Sequence, residues 1–178
     1  MTLAVMLLRR ETSADVDAID AVHHSAFGSA DGAPAESRLV RSLRADPAWI
    51  PALSIVAENE SREVVGHVVG TEGRLTATRG ATAAIGIGPV GVPQDQQGHG
   101  VGTALMHAVL AAADALEYPL AVLLGAPAYY VRFGFVNAAA RSIEAPDPAW
   151  REHFQVRTLS AYAGQDGTFR HPAPFDEL

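Results

Sequence analysis

The chain has 178 residues, 48% of them hydrophobic, which predicts a single domain with an ordinary hydrophobic core. Its formal net charge of −7 argues against non-specific binding of nucleic acid, which depends on clustered basic residues. Because cysteine is absent, disulfides, a thiolate nucleophile and cysteine-bound zinc are all excluded.

The N-terminal segment is unlike a secretory signal, because Arg9 and Arg10 follow its apolar residues instead of preceding them. The longest apolar run, near residues 109–113, is much shorter than the ~20 residues that a membrane span needs. We therefore expect a soluble, cytoplasmic protein with no membrane partner, and the absence of cysteine fits a reducing compartment.

The first half of the chain predicts a strand, two helices and an antiparallel hairpin. Residues 12–15 can cap a first helix that extends to Phe27, and Pro34 stands near the start of a second helix. Apolar runs on either side of a polar turn predict the hairpin. The predicted strands are residues 5–10, 53–58 and 64–70, with another between 83 and 92.

The second half predicts a βαβ unit. Apolar residues recur at helical spacing over 100–116, and the unbroken apolar run 120–125 is typical of a strand buried on both faces. Pro127 leads into a short helix, and one more strand is predicted at 154–159. The pattern indicates one α/β domain, antiparallel first and parallel later, with a core of about 5–140 and C-terminal strands and tail at 141–178.

Two glycine motifs compete as ligand sites. The segment Gly86-Ile87-Gly88-Pro89-Val90-Gly91 matches the dinucleotide pattern G-x-G-x-x-G, but Pro93 follows where the helix should begin. A P-loop requires a lysine, and the chain contains none. The second segment, Gln97-Gly98-His99-Gly100-Val101-Gly102, opens a helix whose first N–H groups could hold an anion.

The histidines do not predict a metal site. His23 and His24 diverge on one helix, and no H-E-x-x-H pair exists. His99 and His107 are too far apart along a helix to share an ion. No G-x-S-x-G segment indicates a serine hydrolase. We expect no metal cofactor.

The second glycine motif matches Q/R-x-x-G-x-G/A, and the chain resembles the GNAT superfamily of N-acetyltransferases. The segment from Ala128 to Phe135 is similar to that superfamily's short helix and turn, where a tyrosine stands five residues before an aromatic residue. More narrowly, 123–135 resembles a bacterial branch that usually has aspartate in place of Ala126. The resemblance covers nearly the whole chain and implies a mixed, mostly antiparallel sheet with a parallel pair at splayed strands four and five.

The resemblance also implies where acetyl-CoA would bind as cosubstrate. An N–H group near Val90 would stabilise the oxyanion, and Tyr130 would protonate the departing thiolate. The pantetheine arm would lie along Pro89, Val90, Gly91 and Val92. The pyrophosphate would be bound at Gln97, Gly98, His99, Gly100, Val101, Gly102 and Thr103.

The group that accepts the amine proton stays open. Some family members use a glutamate on the fourth strand, but residues 83–88 contain no carboxylate. Glu36, which matches a helix-two glutamate of the branch, is one candidate, and Glu72 and His67 are alternatives. A water relay would leave no mark in the sequence.

The implied reaction is direct acetyl transfer to a primary amine, with no covalent enzyme intermediate. The acceptor is a small molecule or a protein N-terminus. The alternative is a module that binds acyl-CoA or a small molecule without turnover. Dimers are common among such relatives, so a homodimer is compatible with the resemblance.

Overall fold

A mixed sheet runs through the computed structural model, which describes residues 6–28 and 32–177. In this part of the chain nine strands form the sheet, in the order β1-β2-β3-β4-β5-β8-β6, while β9 pairs with both β3 and β7. The strands are β1 (Leu7–Arg10), β2 (Trp49–Glu58), β3 (Val64–Ala77), β4 (Gly80–Gly91), β5 (Leu120–Leu124), β6 (Val136–Asn137), β7 (Ile143–Glu144), β8 (Phe154–Thr158) and β9 (Gly167–Arg170).

The helices cover both faces of the sheet. They are α1 (Val16–Phe27), α2 (Ala35–Arg44), α3 (Val101–Ala115) and the short α4 (Pro127–Tyr130). Val68 of β3 packs in a cluster with apolar residues of α3, whereas its neighbour Val69 packs in a cluster with α1 and α2. Because neighbouring side chains of a strand point to opposite faces, α3 covers one face and α1 with α2 the other.

The predicted elements are largely confirmed. Val5, placed in the first predicted strand, lies outside the described residues, and the strand is seen at Leu7–Arg10. The hairpin of β2 and β3 is antiparallel, and both strands are longer than predicted. The expectation of a parallel second half is only partly met, since β4 and β5 are parallel but β8 is antiparallel to β5. Strands β6, β7 and β9 were not predicted, because two to four residues show no usable alternation.

Strands β4 and β5 pair over a short distance and then part. Their parallel register joins Ile85 to Ala121 and Gly86 to Val122. On the other side of β4, the pairing with β3 shifts by one residue between Ile87 and Val90, which marks a β-bulge. Beyond Gly86 the edge of β4 that faces β5 is therefore free.

A buried polar network ties β3 to α1. The Ser54 hydroxyl donates to Glu11, which also accepts from Arg44 at 2.7 Å. His67 Nε2 lies 2.8 Å from Ser54 Oγ, and His67 Nδ1 lies 2.8 Å from His23 Nε2. The Glu11 carboxylate can only accept hydrogen bonds, so the Ser54 hydroxyl uses its proton on Glu11 and accepts from His67. His67 therefore carries its proton on Nε2, and its Nδ1 accepts a hydrogen bond from Nε2 of His23.

The network changes the ionisation of its members. Burial raises the pKa of Glu11, but hydrogen bonds from His67, Arg44 and Ser54 outweigh it and lower the pKa to about 2. Burial lowers the pKa of His23 to about 3, and the proximity of His67 and then of Arg44 acts in the same direction. Burial also lowers the pKa of His67, although the hydrogen bond to Glu11 and the charge of this carboxylate act to raise it. Both imidazoles are therefore neutral in the folded protein.

This arrangement predicts a loss of stability in acid. Below pH 6.5 the unfolded chain binds protons on both histidines that the folded chain excludes, so the free energy of unfolding falls as pH falls. We expect a slope of up to about 1.4 kcal/mol per pH unit for each histidine. Denaturant unfolding between pH 7.5 and 4.5 measures it. The slope should be shallower in His23→Gln and unchanged in His153→Gln, which alters an exposed side chain; equal slopes in all three proteins would contradict the assignment.

Candidate functional site

A cavity of about 490 Å³ opens where β4, the start of α3 and α4 meet. Two further lining residues, Ala26 and Phe27, belong to the end of α1. Of the predicted site residues, those that line it are Val90, Val92, Gln97, Gly98, Gly100, Val101, Gly102, Thr103 and Tyr130. Pro89, Gly91, His99 and Glu36 are not among the lining residues.

The turn before α3 has the conformation of an anion-binding loop. Gly98 and Gly100 have positive φ angles of 79° and 86°, which residues with a side chain rarely adopt. The Gln97 side chain donates a 3.1 Å hydrogen bond to the carbonyl of Val92 and so ties the turn to the end of β4. The first N–H groups of α3 have no partner within the helix, and three residues of its first turn line the cavity.

The free edge of β4 forms one wall of the cavity. Val90 and Val92 line it, whereas Gly91 between them faces α1. A Cβ atom added to Gly91 would lie 2.7 Å from Nδ1 of His23, so no side chain fits there. The wall therefore presents the backbone of β4 and two small apolar side chains.

The two neighbouring tyrosines of α4 reach different parts of the site. The Tyr130 ring lies against Gly125, where an added Cβ would be 2.3 Å from its Cε2 atom. Burial, and then the proximity of Tyr129, raise the pKa of Tyr130. The Tyr129 hydroxyl would be 3.0 Å from a Cβ added to Gly102, at the start of α3. Tyr130 is thus protonated at neutral pH, as a proton donor must be.

One charged lining residue was missed from the sequence. The Arg132 guanidinium lies 4.6 Å from the centre of the Tyr129 ring, and its Nε donates to the Tyr129 carbonyl. Arg132 therefore places a cation on the side of the cavity that holds the glycine turn. A single sequence gives no indication that an isolated arginine after a tyrosine pair lines a cavity, because its position depends on how α4 packs against α3.

The three candidates for the proton acceptor lie in different settings. Glu36 is partly exposed in the first turn of α2. Glu72 accepts a 2.7 Å hydrogen bond from the Tyr118 hydroxyl, and burial together with this carboxylate raises the pKa of Tyr118 to about 12. His67 is completely buried in the polar network. None of the three lines the cavity.

Within residues 6–28 and 32–177, no cluster of three or more histidine, aspartate or glutamate side chains has the arrangement needed to hold a metal ion. In the same residues, no helix is both long and apolar enough to cross a membrane.

Comparisons with known proteins match this architecture. The family model of the acetyltransferase (GNAT) domain matches residues 8–138. The Escherichia coli protein named uncharacterized N-acetyltransferase YhbS is 31% identical over 155 residues, which are 87% of this chain and 88% of that protein. A second Escherichia coli protein, the uncharacterized N-acetyltransferase YjhQ, is 30% identical over 83% of this chain and 81% of its own.

Two solved structures are similar along almost the full chain. The crystal structure of YhbS from Escherichia coli in complex with CoA has a TM-score of 0.87 at 29% identity, covering 99% of this chain and 94% of that one. A GNAT family acetyltransferase from Brucella melitensis in complex with acetyl-CoA has a TM-score of 0.77 at 29% identity, covering 97% and 99%.

Ala126, where the branch usually has aspartate, is the N-cap residue of α4, and α4 has no side-chain cap. We expect Ala126→Asp to stabilise the protein by about 1 kcal/mol, because the carboxylate can accept from free N–H groups of the first turn. Thermal unfolding should show an increase in Tm of about 2–4 °C. Ala128→Asp, which adds the same charge inside α4, is the matched control. An equal or larger gain in the control would show that capping is not the cause.

Proposed function

The chain belongs to the GNAT family of N-acetyltransferases, and we propose that it transfers the acetyl group of acetyl-CoA directly to a primary amine. The observation that carries the proposal is the free edge of β4 in one cavity with the glycine turn of α3 and Tyr130. The CoA complex of YhbS and the acetyl-CoA complex of the Brucella melitensis protein support the choice of donor.

The pyrophosphate of acetyl-CoA is assigned to the turn from Gln97 to Gly102 and to Thr103. Backbone N–H groups at a helix start bind phosphate through hydrogen bonds and the helix dipole, and the positive φ angles of Gly98 and Gly100 form the turn. His99 is exposed in this turn and would contribute its backbone. Arg132 adds a positive charge that the sequence pattern alone does not predict.

The pantetheine arm is assigned to the gap between β4 and β5, along Pro89, Val90, Gly91 and Val92. The arm carries amide groups, so it can pair with the free backbone of β4 as another strand would. Pro89 has no N–H and offers only its carbonyl. The Val90 N–H is the proposed donor to the oxyanion, because a fixed dipole there needs no reorganisation during the reaction.

The transfer needs one nucleophile and one acid. The amine nitrogen attacks the thioester carbon, the C–N bond forms, and the carbonyl electron pair moves onto oxygen near Val90. The C–S bond then breaks, and the Tyr130 hydroxyl gives its proton to the sulfur. Tyr130 regains a proton from the nitrogen, which loses one in forming the amide. This sequence needs neither a metal nor a covalent enzyme intermediate.

The acceptor is proposed only as a class: a small amine or a protein N-terminus. The net charge of −7 would favour cationic acceptors by electrostatic steering. Glu36, in the first turn of α2, stays one candidate for the proton acceptor, as the family resemblance implies. A panel comprising a polyamine, an amino sugar, an aminoglycoside, lysine and a short peptide, scored by thiol release, would define the class.

Acetyl-CoA should stabilise the protein, whereas NAD and ATP should not. At ~100 times its dissociation constant a ligand adds ~2.7 kcal/mol to the free energy of unfolding. Thermal unfolding with the three ligands side by side measures this. If acetyl-CoA gave no shift, both the enzyme and a non-catalytic acyl-CoA module would be ruled out.

A pair of glycine variants provides the control for this measurement. Gly98 and Gly164 both have positive φ angles and open space around Cα, so alanine should cost similar stability at either position. Only Gly98→Ala should reduce the shift with acetyl-CoA, because Gly164 lies outside the cavity. A reduced shift in both variants would point to general destabilisation.

Tyr130→Phe should lower kcat by about 100-fold with an accepted amine, because general acid catalysis typically contributes 10²–10⁴-fold. The stabilisation by acetyl-CoA should stay near that of the wild type. Tyr118→Phe, which removes a hydroxyl outside the cavity, is the control. Unchanged turnover in Tyr130→Phe would remove this residue from the mechanism. A wild-type protein that binds acetyl-CoA but acetylates no amine would favour the non-catalytic module.

A further inference from the structure

His171 lies just after β9 among aromatic side chains. Its ring is stacked on Phe175 with centroids 4.3 Å apart, and it meets Phe169 edge-on at 4.9 Å and Trp150 at 6.4 Å. The side chain is partly exposed, but Nδ1 is buried and has no hydrogen-bond partner among the described residues. A buried ring nitrogen without a partner is unusual and calls for an explanation.

The imidazole lies over the point where β4 and β5 part. A Cβ atom added to Gly86 would be 3.0 Å from Nδ1 of His171 and 3.2 Å from its Cε1. Gly86 is the last residue of β4 that pairs with β5. The ring of His171 thus fills the space that a side chain at position 86 would occupy, in a strand segment that has no carboxylate of its own.

A second unpartnered polar atom belongs to the same place. Thr71 of β3 pairs directly with Gly86, is completely buried, and its Oγ1 has no partner among the described residues. Thr71 is two residues beyond Val69, so it faces the side of the sheet covered by α1 and α2. The apex of the gap therefore has polar atoms on the face opposite α3.

We propose that His171 is the proton acceptor for the incoming amine, in the role that a carboxylate on β4 would otherwise fill. The inference rests on the proposed function, since it adds a residue to the same reaction. Gly86 and Val90 are four residues apart, roughly 10–13 Å along a strand. The proton therefore passes through water between the amine and the ring.

The protons balance as follows. The acceptor arrives as an ammonium ion and gives one proton through water to the imidazole, which then releases it to solvent. The neutral amine attacks the thioester, and the second proton lost by nitrogen replaces the one that Tyr130 gives to the thiolate. The products are the amide, CoA as a thiol and one proton in solution.

His23, which packs against Gly91 of β4, is less suited to this role. His23 also has a free Nδ1, facing Gly91, but the side chain is completely buried and its Nε2 is used by His67. No acceptor amine can reach it without opening α1. Neither Glu36 nor His171 is among the residues that line the cavity, but His171 lies against Gly86, where β4 and β5 part. His171 combines a partly exposed ring with a position at the apex of the gap.

Burial lowers the pKa of His171 to about 4, with the charge of Asp176 opposing the shift. The other groups that contact the ring, from β9, β4 and the turn at 148–150, are Phe169, Gly86 and Trp150, which are uncharged. The ring is therefore neutral at pH 7 and has a lone pair available. A proton taken up there returns readily to solvent.

The test compares His171→Gln with the wild type between pH 6 and 10, using the amine of the panel that the wild type acetylates fastest. We expect kcat at pH 7 to fall about 100-fold while the KM for acetyl-CoA stays unchanged. The deficit should narrow as pH rises, because more of the amine arrives without its extra proton. A purely structural role would give a deficit that does not depend on pH.

Two further variants keep the test decisive. Gly86→Ala should displace the ring without removing it and give a smaller deficit with the same pH dependence. His153→Gln, an exposed change, should behave as the wild type. Normal kcat in both His171→Gln and Gly86→Ala would overturn the inference, as would a pH-dependent deficit confined to Glu36→Gln. No turnover by the wild type would overturn the proposed function itself, and this inference with it.

Discussion

The parting of β4 and β5 after Gly86 is the feature on which the site depends. Each strand keeps a partner on its outer side, since β3 pairs with β4 and β8 with β5. The sheet therefore stays continuous on both sides while a gap opens at its centre. Buried backbone groups need partners, so the gap favours a ligand with amide groups in an extended conformation. The β-bulge of β4 between Ile87 and Val90 lies just beyond this point, and a bulge bends the strand that contains it.

Glycines around the gap are needed because ring side chains approach the backbone closely. Gly86 lies under His171, Gly91 under His23 and Gly125 under Tyr130, with an added Cβ at 3.0 Å or less from a ring atom in every case. In each pair the glycine belongs to the central sheet or to the end of β5, while the ring comes from a helix or the C-terminal segment. The glycines of β4 that suggest a dinucleotide motif are thus explained in part by packing.

Local patterns predicted most of the fold and the glycine turn of the candidate site. The stripe of α3 and the run of β5 are long enough to show their periodicity, and the turn at Gln97–Gly102 has a motif that depends only on neighbouring residues. His171 could not be predicted in the same way, because it is 85 residues from Gly86 and its contact depends on how β9 returns to β3. The same applies to Arg132, whose place follows from the docking of α4. Contacts between residues that are far apart along the chain produce no recognisable pattern of spacing in a single sequence.

The buried network explains how the wall of the site holds its position. His23 packs against Gly91 on one side and hydrogen-bonds to His67 of β3 on the other, so α1 is fixed relative to β4 through β3. The chain of hydrogen bonds ends in a carboxylate that Arg44 of α2 also binds, so one network joins both helices of this face. Desolvation keeps the imidazoles neutral, which avoids placing a positive charge behind the thioester site. A cation there would stabilise the thiolate and the oxyanion at a distance but would cost far more in desolvation than it returned. The donors proposed at Val90 and in the turn before α3 would act instead through backbone dipoles, whose orientation this network helps to preserve.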